Sequence, residues 1–280
     1  MPRTIRVTHS PDSDDAFMFY ALTAGKLDTG DLIYEHELSD IESLNHRARA
    51  GELEVSAVSI HAYAHLTDRY ALLASGSSMG DGYGPRLVSR SPAPEDPRRS
   101  LRGVRVAIPG VLTTAWLALQ LYQPGCEPVV MPFDAIEDAV LDGTVEVGLL
   151  IHEGQLTYAD RGLHLHADLG AWWMEETGLP LPLGGNVVRR DLGPELTAQI
   201  ARDLKASIAW ALDHRQEALD HAMQYNRGIG HERTDTFVGM YVNEWTLDYG
   251  ARGREAVRRL LARGHAEGIL PEAVDVTFVG

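Results

Sequence analysis

Two stretches of this chain echo one another: SDIESL…AGELEVSAVSIH (39–61) and DAIEDAV…DGTVEVGLLIH (134–152). Each closes a longer series in the same order: strand, turn, helix, strand, capped helix, strand. In the first series the spacing predicts strands at Ile5–Val7, Leu32–Leu38 and Val55–Val58, a helix over 14–24, and a second helix opened by a Ser39-Asp40-Ile41-Glu42 capping box and stopped by Gly51. In the second, strands fall at Val104–Ile108, Val129–Met131 and Val145–Ile151. A helix runs over Thr114–Tyr122, and Asp134-Ala135-Ile136-Glu137 opens another that Gly143 stops. The matches are short and fit convergent βα grammar as well, but a shared order of six elements supports two similar α/β lobes.

The apolar run Val145–Ile151 suits a strand buried on both faces, as in a parallel sheet. It ends in His152-Glu153-Gly154. Ligands of open α/β sheets bind beyond the carboxyl ends of strands, and an imidazole there can exchange a proton near neutral pH. A hydrogen-bonded histidine at a strand end fits the spacing equally well. Glu153 either orients His152 or caps the following turn. At the matching strand end Ser59 stands where it can cap a short helix (Ser59–Leu66) or offer its hydroxyl and nearby amides to a ligand. Asp12, Asp14 and Asp15 suit the first turn of a helix. As a metal site they lack the closing glutamate of a calcium loop. The glycine-dense stretch Gly76–Pro85 reads as a loop and matches no nucleotide-phosphate loop.

Beyond the second series, Trp172 and Trp173 precede Gly178–Gly185, whose alternating Pro and Gly favour a loop leading into a crossing strand, Asn186–Arg189. From Pro194 onward helices are expected, first with Ile200, Leu204, Ile208 and Leu212 on one face, then over 216–225, 233–240 and 251–263. Crossing segments near 86–100 and 180–190 divide the chain into a larger lobe, 1–92 plus 187–280, and a smaller lobe, 93–186, with a cleft between. The net charge of −15 argues against general nucleic-acid binding, which needs basic surface. No run of about 20 apolar residues suggests a membrane span, and the N-terminus has no leader-like apolar segment. Cys126 is the single cysteine, expected as a packed thiol; a cytoplasmic setting follows from these readings.

This bilobal architecture resembles the type 2 periplasmic-binding-protein fold. The sequence itself resembles the 1,4-dihydroxy-6-naphthoate synthase family of the futalosine route to menaquinone. The resemblance is carried by HSPDSDDAFMFYAL (9–22), the Gly80/Gly82/Gly84-Pro85 loop, IPGVLTTAWL (108–117), LLIHEGQLTY (149–158), DLGAWWMEETGLPLPLGG (168–185) and YVNEWTLDYG (241–250). It implies a lyase without a redox cofactor or metal, acting on a small-molecule carboxylate, with His152 as proton acceptor. It implies substrate contacts from Ala57, Val58 and Ser59 in one lobe and from Thr114 and Ala115 in the other; Thr113, at the same helix start, is a further candidate donor. Ala57 stands where some members carry lysine, so it can offer only backbone contacts. Ser10, Asp14, Gly82, Gly84, Trp172 and Leu183 are expected to line the cleft. Two other readings are a chorismate dehydratase-like enzyme of the same pathway and a non-catalytic solute-binding protein.

Overall fold

A computed structural model describes residues 2–280. It holds two sheets. The strands are β1 (Arg3–His9), β2 (Leu32–Leu38), β3 (Val55–Ser59), β4 (Tyr70–Leu73), β5 (Ser78–Gly80), β6 (Arg86–Ser89), β7 (Arg105–Ile108), β8 (Glu127–Val130), β9 (Val147–Leu150), β10 (His164–Asp168), β11 (Leu181–Arg189) and β12 (Phe278–Val279). The larger sheet runs β12-β4-β11-β3-β1-β2, with β5 also paired to β11; the smaller runs β10-β6-β9-β7-β8. In each sheet the three strands of the repeated series lie together, parallel, with the first in the middle. Among the described residues no helix is long and apolar enough to cross a membrane.

The two α/β lobes expected from the repeat are therefore present, but both sheets are mixed. β9, expected among parallel neighbours, runs parallel to β7 and antiparallel to β6. Its burial on both faces follows from its central position rather than from an all-parallel sheet. β6, which the sequence reading assigned to the first lobe, is hydrogen-bonded between β9 and β10 of the second. The outward crossing thus precedes Arg86 instead of reaching 92. The return crossing precedes Leu181 instead of lying near 187, because Leu181–Arg189 is one nine-residue strand of the larger sheet.

β11 corrects the reading of the Pro/Gly-rich segment as a loop. It pairs antiparallel with β3, β4 and β5. Proline cannot donate to a ladder, and the pairing with β5 shifts register between Pro182 and Gly184. Gly185 is required here, since a Cβ would fall 2.3 Å from the Tyr249 hydroxyl. β4, β5, β10 and β12 had no clear periodicity, and each is five residues or shorter. Trp172 and Trp173 lie on a helix, Leu169–Thr177, opened by Asp168, whose carboxylate accepts from the amides of Gly170 and Ala171.

The helix over 41–50 is capped by Asp40, whose side chain accepts from the Ser43 amide, so the cap sits one residue beyond Ser39. In the echo, Asp134 does not cap: a 3-10 turn, Phe133–Ala135, leads into Ile136–Leu141. The C-terminal helices Pro194–Asp213 and Gly250–Ala266 pack on Ser13–Thr23 and on β11, completing the larger lobe. Ile200, Leu204 and Ile208 are buried as their spacing required, while Leu212 is partly buried.

Candidate functional site

A cavity with about 780 Å³ of empty space, its mouth included, opens between the two sheets. That size suits a small-molecule ligand. The carboxyl end of β3 supplies Ala57, Val58 and Ser59, and β11 supplies Leu183, Gly184, Gly185 and Asn186. The turn after β1 supplies Ser10 and Asp12, and the first turn of the helix Ser13–Thr23 supplies Asp14 and Asp15. The smaller lobe contributes Thr113, Thr114, Ala115, Ile151, His152 and Gln155. All the substrate-contact positions implied by the family resemblance thus meet at one cavity, as do Ser10, Asp14 and Leu183. The reason is topological: matching strands of the two repeats end facing each other.

Three of the expected lining residues are elsewhere. Gly82 lies in an exposed turn at φ +82°, with open space where a Cβ would be. Gly84 packs backbone-to-backbone on Gly170; a Cβ on it would lie 2.9 Å from the Gly170 Cα. Trp172 stacks edge-on against Tyr122 with the Arg263 guanidinium 5.4 Å from its ring, and does not reach the cavity. The loop and the tryptophan pair shape the lobe around the helix Leu169–Thr177 rather than the cleft.

His152 stands directly after Ile151 with its side chain 13% exposed. Its Nδ1 lies 3.1 Å from Oδ2 of Asp12. An ionised carboxylate only accepts hydrogen bonds, so in the neutral imidazole the proton resides on Nδ1 and the lone pair on Nε2. Nε2 is buried without a protein partner. Phe133 packs edge-on against the imidazole, centroids 4.0 Å apart. Burial alone would raise the Asp12 carboxyl, but His152 and Arg227 beside it hold it well below the ordinary carboxylate range.

Asp12 precedes the helix Ser13–Thr23 yet makes no side-chain cap. Asp14 and Asp15 stand in the first turn as expected, while the Asp12 side chain pairs with His152 and Arg227 instead of capping. Asp15 turns back to accept from the Ser10 amide and hydroxyl, both at 2.8 Å. Burial, then the neighbouring Asp15, Asp12 and Glu153, push the Asp14 carboxyl well above its ordinary value, favouring its neutral form. Burial also raises Asp15, against the pull of His9 and the Ser10 hydroxyl.

Glu153 neither orients His152 nor caps the next turn. Its carboxylate accepts from the Ser13 hydroxyl at 3.3 Å and from Arg227 Nη1 at 3.1 Å. Arg227 also donates to Asp12 through Nη2, and its guanidinium lies 4.3 Å from the centre of the Phe133 ring. Among the described residues Arg227 is the one non-glycine with positive φ, +50°, a conformation that costs about 1 kcal/mol or more. One guanidinium from the helical part of the larger lobe therefore ties Asp12 of its own lobe to Glu153 of the other. Ligand atoms of Asp12, His152 and Glu153 lie within 4.8 Å of one another, a spacing compatible with a divalent cation, but Arg227 already places a positive charge on both carboxylates. Sequence reasoning did not single out Arg227, because nothing local marks an arginine in the loop between two helices.

The hydroxyls at the cavity differ in what they can still donate. Ser59 does not cap its short helix. Its Oγ accepts from Asn45 Nδ2 at 3.1 Å, while its amide donates to Asn45 Oδ1 at 2.9 Å, leaving the Ser59 O–H as a donor. Thr113 caps the helix Thr114–Tyr122 by accepting from the Trp116 amide, and its O–H donates to Gly110 O. Thr114 donates to Leu183 O and accepts from the His61 amide, another tie between the lobes. Trp116 and Leu117 donate their amides to Thr113, which leaves the amides of Thr114 and Ala115 without an acceptor in the protein backbone. Among the described residues no lysine or arginine lines the cavity. An anion here would be held by neutral N–H and O–H groups.

A family model described as "Menaquinone biosynthesis" matches residues 5–266. The chain is 42% identical to a curated 1,4-dihydroxy-6-naphthoate synthase of Thermus thermophilus, over 98% of this chain and 99% of that protein. A crystal structure of a protein from Archaeoglobus fulgidus superposes with a TM-score of 0.90 at 50% identity, covering 95% of this chain and 98% of the other. The alkanesulfonate-binding protein of Xanthomonas axonopodis pv. citri superposes with a TM-score of 0.71 at 12% identity, covering 98% and 96%. That last likeness is one of fold, and it bears out the bilobal binding-protein architecture.

Proposed function

The chain belongs to the menaquinone-biosynthesis family, whose curated relatives include 1,4-dihydroxy-6-naphthoate synthases, and from that membership we propose that this enzyme is a lyase converting cyclic dehypoxanthinylfutalosine to 1,4-dihydroxy-6-naphthoate with His152 as general base. The observation that carries the role of His152 is the contact of its Nδ1 with Asp12. In the neutral imidazole Asp12 keeps the proton on Nδ1, so Nε2, buried and without a protein partner, is the atom left to accept a proton at the cavity that His152 lines.

In this reading Nε2 removes a proton from the bound cyclic substrate, a carbon–carbon bond breaks, and the ring system aromatises as the sugar remnant leaves. The substrate's benzoate carboxylate is held without a cationic side chain. Its partners are the Ser59 hydroxyl and the first-turn amides at Thr114 and Ala115, one set from each lobe. Neutral donors suit a wall that already carries Asp12, Asp14 and Asp15, since no further ion has to be desolvated. The contacts between lobes, Asp12 with His152, Arg227 with Glu153 and Thr114 with Leu183, support a closed cleft that excludes water from the base. We place the activity in the cytoplasm, a setting compatible with the buried free thiol of Cys126.

The test is turnover by the purified enzyme of cyclic dehypoxanthinylfutalosine and, separately, of chorismate. Formation of the naphthoate from the first and no reaction with the second is expected. Turnover of chorismate alone would assign the site to a dehydratase, and ligand binding without any turnover would assign it to solute capture.

A further inference from the structure

We propose that the side-chain amide of Gln155 is the hydrogen-bond donor that receives the negative charge formed on substrate oxygen when His152 removes a proton, and that Tyr241 sets the orientation of that amide. The proposal rests on the lyase reading above and assigns it a second catalytic residue.

Gln155 is 1% exposed and lines the cavity together with His152. Its backbone amide donates to the His152 carbonyl at 2.8 Å, so the two residues share one turn. Its Oε1 accepts from the Tyr241 hydroxyl at 2.8 Å, a fully buried contact. That leaves Nε2, which is buried and has no acceptor in the protein. Folded proteins seldom leave a buried N–H unpaired, and at a binding cavity the missing partner is most simply the ligand. Tyr241 belongs to the helix His231–Tyr241 of the larger lobe, whereas Gln155 follows β9 of the smaller one. The amide is therefore oriented across the cleft. Behind it, the Gln155 carbonyl accepts from the Arg86 guanidinium, which is itself held by Asp168.

Three buried side-chain atoms without partners belong to residues lining this cavity: His152 Nε2, Asn186 Oδ1 and Gln155 Nε2. The first is the lone pair of the base. The second is a carbonyl oxygen, fixed as an acceptor because Asn186 Nδ2 donates to Gly76 O at 3.0 Å. Only Gln155 Nε2 can donate. The reaction needs such a donor. A ring ketone becomes an aromatic hydroxyl when the neighbouring carbon loses its proton. The C–H electron pair forms the ring double bond, and the carbonyl π pair moves onto oxygen. The proton goes to His152 Nε2, and the oxygen, briefly anionic, must be held by an N–H before it is protonated. A neutral amide does this without forming an ion pair with Asp12 that would compete with His152.

The experiment compares the unaltered enzyme with Gln155→Met, Gln155→Glu and Tyr241→Phe, measuring kcat and KM for the cyclic substrate and the affinity for 1,4-dihydroxy-6-naphthoate by calorimetry. Met has nearly the length of Gln and no donor, and thermal melting with retained product affinity verifies a folded site. Gln155→Met is expected to lower kcat by about 10²–10³-fold with KM little changed, the signature of a contact made mainly in the transition state. Gln155→Glu should fall as far at neutral pH, and Tyr241→Phe less. A Gln155→Met enzyme with unaltered kcat, or one in which only KM rises, would overturn the assignment. An unaltered enzyme that does not turn over the cyclic substrate would overturn the lyase reading instead.

Discussion

His152 Nδ1 and Asp12 Oδ2 lie 3.1 Å apart although they follow strands of different sheets. The contact exists only where the two lobes face each other, so base orientation and cleft geometry are one property. The Asp12 side chain is 5% exposed and shared between His152 and Arg227, which keeps it ionised despite burial.

Removing the imidazole should separate binding from chemistry. His152→Ala is expected to fold normally, to keep its ligand affinity and to lose about 10²–10⁴-fold in kcat, the range of a positioned base. Steady-state kinetics beside calorimetry checks this. Near-normal turnover would remove His152 from the mechanism.

Asp12→Asn keeps the shape of the carboxylate and removes its charge. The amide can donate to Nδ1, which would place the imidazole proton on Nε2 and leave no lone pair toward the cavity. A loss in kcat of about 10²-fold or more is expected with product affinity retained. Unchanged kcat would show that the tautomer is set by something else.

Arg227→Ala leaves the Asp12 and Glu153 carboxylates, 5% and 4% exposed, without their shared cation. Loss of one partner of a buried ion pair is costly. Here the expected loss in unfolding free energy is about 1–3 kcal/mol, below the fully buried range because the arginine keeps 32% of its side chain in solvent. Urea unfolding at neutral pH is the measurement, and a variant as stable as the parent would contradict the clamp.

The Asp14 carboxyl makes stability fall with rising pH. Its folded pKa is raised by burial and by its acidic neighbours, so its contribution is complete below the unfolded value of about 4 and is lost as pH rises toward the folded value, because the unfolded chain ionises first. Asp14→Asn cannot ionise. Its melting temperature relative to the parent should therefore increase from pH 4 upward, by a few degrees at neutral pH. A melting-temperature difference that stayed flat across that range would mean that Asp14 behaves as an ordinary exposed carboxylate.

A Cβ at Gly170 would lie 1.9 Å from the Tyr83 carbonyl oxygen and 2.5 Å from the Gly84 nitrogen. Backbone cannot move aside as a side chain can. Gly170→Ala should therefore cost about 1–3 kcal/mol by overpacking. Thermal melting measures it, and an unchanged transition would mean that the Gly80–Pro85 loop adapts freely.

The sequence by itself determined the local grammar. The doubled order of strands and helices is set by hydrophobic periodicity, glycine stops and polar turns, and those act over a few residues, so two lobes were legible before any coordinates. The histidine after Ile151 and the serine and threonine at helix origins were legible for the same reason, each sitting at the end of a recognisable element. What lay beyond local grammar was everything decided by pairing across distance. Leu181–Arg189 became a central strand because β3, β4 and β5 supply ladders that outweigh its Pro/Gly content. Arg86–Ser89 joined the second sheet because β9 and β10 were the edges available to it. Asp12 left its helix for an imidazole in the other lobe, and Arg227 and Tyr241 reached the site from the C-terminal helical region, far along the chain from the residues they hold. Charge pairing and desolvation in a closed cleft depend on distances in space, and only the tertiary structure sets those.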